Sequence, residues 1–186
     1  MNKKWIYTEL TGLLFIAAGF WFMRQLYRLT NYGLAGVLFG CVNHSAWETA
    51  KALILPYLVW GGIELLCLGK HMRCLCVAKT AALWVMTLSF LGLSDLTELA
   101  GAAFETSDLI CSALAAAAAT AVSVFMTRDF PRYEHCFPVA LCLLFLLMAF
   151  YFSFTPFPPR LTLFADRISG QFGIPPTGYD FGADML

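Results

Sequence analysis

Two stretches of this chain carry no charged side chain over the length a helix needs to cross a lipid bilayer. Leu109 to Thr127 lies uncharged between Asp108 and Arg128, and Phe137 to Pro159 lies uncharged between His135 and Arg160. A hydrocarbon core of about 30 Å takes about 20 residues of helix to span, and charges within it are costly. Three more runs fit once their ends are trimmed: Trp5 to Met23, with Glu9 a turn inside; Glu48 to Leu68, with Lys51 and Glu64 near opposite ends; and Cys74 to Leu93, with Lys79 near enough to its start to snorkel. The expected fold is therefore all-α, a polytopic transmembrane bundle of about five helices (5–23, 48–68, 74–93, 108–127 and 137–157) within residues 1–159. A tail, 160–186, packs on one membrane face.

Composition agrees. The chain is 60% hydrophobic and 13% charged, whereas soluble domains average about 25% charged. Such a chain cannot clothe a water-facing surface, and 16% aromatic residues exclude a disordered one. Twelve Lys and Arg balance twelve Asp and Glu, which leaves no basic footprint for nucleic acid. The seven cysteines are odd in number and mostly lie in apolar runs, where a thiol packs as a small hydrophobe. Lys3 and Lys4 precede an apolar stretch without a small-x-small cleavage site before Arg24, so it reads as a retained first helix. Segment 32–41 is apolar but too short to cross, and reads as re-entrant or interfacial.

Five crossings put the termini on opposite sides. Lys3, Lys4, Lys70, Arg73, Arg128 and Arg132 then share one face, against Arg24, Arg28, Arg160 and Arg167 on the other. The positive-inside rule places the N-terminus inside and the tail outside. The fourth helix, with its alanine run from Ala115 to Ala119, reads as a close-packing seam at the centre of the bundle.

Polar chemistry gathers at Asn43-His-Ser-Ala-Trp-Glu-Thr-Ala-Lys51. On a helix His44, Glu48 and Lys51 share one face, and ionisable groups there point inward to a polar pocket. Ser45 and Glu48 also form a capping box, Trp47 fits an interfacial belt, and Lys51 can pair with Glu48. Asp108 stands where a carboxylate caps the next helix on that face. Glu9 reads as interfacial, and Glu64 as a partner of Lys70 or Arg73. The tail has apolar Leu161, Leu163, Phe164 and Ile168 among prolines and glycines. It is expected to lie as an ordered lid across the pocket mouth, bringing Asp166 and Arg167 to the rim and Asp166 toward His44 or Lys51.

Asn43, Ser45, Trp47, Glu48, Lys51 and the helix proline Pro56 resemble a motif of a bacterial membrane-protein family, domain of unknown function 6512. So do Phe154, Thr155, Pro158, Pro159, Leu163, Phe164, Asp166, Gly170, Phe172, Gly173 and Ile174 in the tail. The resemblance implies a multi-pass protein of the bacterial cytoplasmic membrane, and brings no activity or cofactor with it. Where its pattern has an acid and a second histidine, this chain has His44 and Thr49, so no metal site carries over.

The functional expectation is a pocket for a small molecule or lipid headgroup, in contact with the bilayer and open to homo-oligomerisation. A membrane-embedded, metal-assisted hydrolase using His44, Glu48, Asp108 and Asp166 is the first alternative, with His44 and Glu48 as the nearest approach to a ligand pair. No H-E-x-x-H or G-x-S-x-G motif is present. A small oligomeric transporter is the second.

Overall fold

The computed structural model describes residues 3–67, 72–128 and 130–175. It contains α1 (Lys3–Leu29), α2 (Leu34–Phe39), α3 (Ala46–Cys67), α4 (Met72–Leu99), α5 (Phe104–Arg128) and α6 (Phe137–Ser153). Short 3₁₀ segments occupy Phe130–Cys136 and Thr162–Phe164. No strand occurs among the described residues, and the only pairing of that kind is an isolated antiparallel bridge between Ala165 and Phe172. Five helices are long and apolar enough to cross a membrane. The apolar segment 32–41 holds the short α2, which packs against the end of α1.

Four boundaries differ from the sequence reading by four residues or more: α1 runs on to Leu29 and α4 to Leu99, each six residues past the expected end, and the other two lie in α6 and α5. The last helix stops at Ser153 and not near 157, because Pro156 has no N–H for the carbonyl four residues back. The Phe154 and Phe157 amides close the end by donating to the Phe150 and Ser153 carbonyls. The fourth spanning helix starts at Phe104, so Asp108 stands inside it and does not cap it.

The packing inverts that of a soluble protein. Leu14 is 74% exposed and Phe145 68%, while Glu9, Glu48, Lys51, Glu64, Lys79 and Asp108 are all buried. A broad apolar exterior of this kind suits hydrocarbon. The core joins Ile16 and Phe20 of α1, Leu53 and Ile54 of α3, Leu83, Met86 and Phe90 of α4, Ala115 and Ala119 of α5, and Leu147 and Tyr151 of α6.

The small residues of α5 do make a seam, against α4, but α5 is not the central helix. α3 and α4 are the more enclosed pair. Close approach of α1 to α3 depends on glycine: a Cβ at Gly19 would lie 2.6 Å from the Pro56 ring, and one at Gly12 would strike the Trp60 indole. The first four spans alternate in direction, since Lys79 near the start of α4 pairs with both Glu9 near the start of α1 and Glu64 near the end of α3, and Ser123 near the end of α5 bonds Glu9.

Candidate functional site

The polar motif builds the start of α3. Asn43 Oδ1 accepts the Ser45 N–H (2.9 Å) and Ser45 Oγ accepts the Glu48 N–H (3.2 Å), so the helix begins at Ala46. Half of the capping box is made. The Glu48 carboxylate does not return to Ser45 but accepts the Val42 N–H at 3.1 Å. Because the helix starts after His44, that residue leaves the expected stripe with Glu48 and Lys51. Its ring faces Phe104, with centroids 6.0 Å apart, and its backbone N–H goes to Asp166 Oδ1 at 2.9 Å.

Glu48 and Lys51 form a closed, buried ion pair at 3.1 Å. Lys51 Nζ also donates to Thr155 Oγ1 (2.6 Å) and reaches the Val37 carbonyl at 3.4 Å. The Thr155 hydroxyl in turn donates to Glu48 Oε1 at 2.6 Å. Tyr151 lies beneath the ammonium, 5.3 Å from Nζ to the ring centroid, and donates to the Phe39 carbonyl at 3.2 Å. Such saturation is what lets an ion pair persist in a dry interior. Cys41 Sγ donates to the Glu48 carbonyl at 3.0 Å, and burial, followed by the Glu48 charge, pushes the thiol up to about 12.

The tail folds back over this end. Asn43 Nδ2 donates to the Gly173 carbonyl at 2.8 Å, with Gly173 in the left-handed region (φ 78°). Arg167 pairs with Asp108 at 2.7 Å, bonds Ser94 Oγ, and reaches the exposed Glu98 at 3.3 Å. Asp108 Oδ2 also lies 3.5 Å from the Thr49 hydroxyl. Asp166 accepts from the Ser169 N–H (3.0 Å) and hydroxyl (2.6 Å) besides His44. Partial burial alone would raise the Asp166 carboxyl. Hydrogen bonds from the Ser169 hydroxyl and from the His44, Ser169 and Ile168 amides outweigh it and hold the group below its ordinary value.

Trp47 is not in an interfacial belt. It is buried, with Phe154 and Phe164 packed on it at 5.3 and 5.5 Å. Of the tail's four apolar positions Phe164 is buried, whereas Leu161 and Ile168 stay exposed. Residues 176–186 lie outside the described residues.

The candidate residues therefore divide. Ser45, Glu48 and Lys51 sit in the sealed cluster, Asp108 and Arg167 form the tail clasp, and only Asn43, His44 and Asp166 border open space. That space is a cleft of about 870 Å³ between α1 and α5. Its α1 wall carries Leu13, Ile16, Ala17, Phe20, Trp21, Arg24, Gln25 and Arg28; its α5 wall carries Glu105, Leu109, Ser112, Ala113, Ala116 and Ala117. Among the described residues no three His, Cys, Asp or Glu side chains gather as metal ligands.

A second charged cluster, unforeseen from the sequence, lies at the opposite end of the bundle. Lys79 Nζ stands 2.8 Å from Glu9 and 2.5 Å from Glu64. Ser123 donates to Glu9 at 2.7 Å and Trp60 Nε1 to Glu64 at 3.0 Å. Glu9 is thus interior, not interfacial. Glu64 pairs with Lys79 and not with Arg73, which goes to Glu134 at 3.6 Å; the other expected partner, at position 70, lies outside the described residues. The signal available was three charges, Glu9, Glu64 and Lys79, each within a turn or two of the end of an apolar run and all at the same end of the bundle.

No curated protein and no solved structure matches this chain. The model of a family of unknown function, DUF6512, matches residues 1–174, and the chain belongs to that family.

Proposed function

We propose that this is a multi-pass membrane protein that holds one amphiphilic molecule in the cleft between α1 and α5, with the folded tail closing part of its mouth. The observation that carries the reading is the polarity gradient along the cleft. From Leu13 to Trp21 the α1 wall is apolar, and from Arg24 to Arg28 it is polar. The facing α5 wall changes in the same direction, from Ala117 and Ala116 up to Ser112 and Glu105. Binding clefts are commonly apolar with a few convergent polar groups. Here the polar groups gather at one end, which suits a headgroup and a chain. Trp21, Ala113 and Ala117 are exposed along the cleft, consistent with entry from the lipid side.

In the orientation favoured by the basic loop residues, the mouth belongs to the outer leaflet. The test is lipid analysis of protein purified in mild detergent, comparing wild type with an Ala113→Phe/Ala117→Phe variant that fills the cleft. Retention of an amphiphile by the wild type and its loss from a folded variant supports the reading. Equal lipid content in both ends it.

A further inference from the structure

We infer that the molecule held in the cleft is a phospholipid-like lipid of a single leaflet, with its phosphate bound between Arg24 and Arg28. The inference rests on the amphiphile reading above and adds its headgroup chemistry and depth. Arg24 and Arg28 are one helical turn apart on α1 and both line the cleft. Guanidinium groups meet phosphate oxygens with paired, charge-assisted hydrogen bonds, and two on one face can hold a single phosphate from both sides. The Arg24 guanidinium lies 5.7 Å over the Phe20 ring, anchored at the boundary between the polar and apolar halves of the wall.

Depth supplies the second argument. At about 1.5 Å per residue, the helix rises about 16 Å from Leu13 to Arg24. One leaflet of a bilayer contributes about 15 Å, half of a hydrocarbon core of about 30 Å. A phosphate at Arg24 thus leaves an apolar wall as long as one leaflet's chains. A free phosphate or a short polar metabolite would leave that wall unused. Glu105 from α5 and Asp166 from the tail also line the mouth and would repel phosphate, which places the headgroup on the α1 side.

The experiment uses the full chain in mild detergent and adds defined probes: dioleoyl phosphatidic acid, dioleoyl glycerol with the same chains and no phosphate, and inorganic phosphate alone. Binding is read by native mass spectrometry and by thermal shift. Phosphatidic acid is expected to bind roughly tenfold or more tightly than the glycerol, the effect of at least one charge-assisted hydrogen bond, and inorganic phosphate to give no shift. Arg24→Gln/Arg28→Gln should lower phosphatidic acid to the level of the glycerol while leaving the melting temperature of the lipid-free protein unchanged. Arg24→Lys/Arg28→Lys should retain part of the preference. Equal binding of the two lipids, or full phosphatidic acid binding by the glutamine variant, overturns the phosphate assignment and leaves the cleft reading standing. A shift with inorganic phosphate as large as with the lipid overturns the lipid assignment. If neither lipid binds, or if Ala113→Phe/Ala117→Phe binds both as well as wild type, the amphiphile reading itself falls.

Discussion

The Thr155 hydroxyl lies 2.6 Å from Lys51 Nζ and 2.6 Å from Glu48 Oε1, so a residue just beyond the last spanning helix completes an ion pair at the start of α3. It is donor to the carboxylate and acceptor from the ammonium at once, and it is itself buried. Thr155→Val keeps the shape and removes both bonds. A loss of about 1–3 kcal/mol is expected, the cost of leaving buried partners unsatisfied. Thr155→Ser should recover most of it, as read by thermal unfolding in detergent.

Lysine is expected to be indispensable at both ends of the bundle. Lys51→Leu strands the Glu48 carboxylate and should cost about 3–5 kcal/mol. Lys79→Met strands two carboxylates, Glu9 and Glu64, and should cost more than Lys51→Leu. A gain in melting temperature for either variant would contradict the buried pairing.

The tail clasp is testable by a double-mutant cycle. Arg167→Gln leaves the buried Asp108 carboxylate without its ion-pair partner, with an expected loss of about 3–5 kcal/mol. Adding Asp108→Asn should return part of that loss, because the stranded charge is then gone. Glu98→Gln should change stability by no more than about 1 kcal/mol, since Glu98 is exposed.

Asp166 makes the tail sensitive to acid. Its carboxyl is held below the ordinary value, so its contribution is fully present above the unfolded pKa of about 3.9 and is lost as pH falls through the folded one. Limited proteolysis of the tail should therefore accelerate below about pH 4 and stay flat across neutral pH. Asp166→Asn, which keeps the size but weakens the acceptor, should raise the rate at pH 7 and flatten the acid response.

Orientation is tested with single cysteines at positions 70 and 180 in a cysteine-free background. Opposite accessibility is expected, with position 70 inside. Labelling of both from the same side would remove the odd number of crossings.

The spanning helices were legible because they depend on the absence of charge over a fixed length, a property of composition. Where a helix stops is a more local matter: Pro156, not the following proline pair, ends α6, and Asp108 looked like a cap only because the helix was started too late. His44 illustrates the same sensitivity. Asn43 secures the Ser45 amide and the helix begins at Ala46, which leaves His44 outside it and off the Glu48–Lys51 face. The approach of the tail to the start of α3 was foreseen through Asp166 and His44, though it is the backbone of His44 that receives the contact.

The Glu9–Lys79–Glu64 cluster was not foreseen. Each charge, taken alone, had a cheaper explanation at a membrane surface. Their meeting depends on how closely α1 approaches α3, which Gly12 and Gly19 decide. Two glycines seven residues apart in an otherwise bulky helix were the available hint.

The bond between Thr155 and the Glu48–Lys51 pair joins residues that are more than a hundred positions apart in the chain. A chain made from its N-terminus has Lys51 and Asp108 in place while Thr155 and Arg167 are still to come. Until the last helix and the tail arrive, that end of the bundle has buried charges without their full set of partners, and water must serve them. In the finished fold the segment after α6 therefore does the work that solvent would otherwise do for these charges: Thr155 and Arg167 take the place of water around Glu48, Lys51 and Asp108.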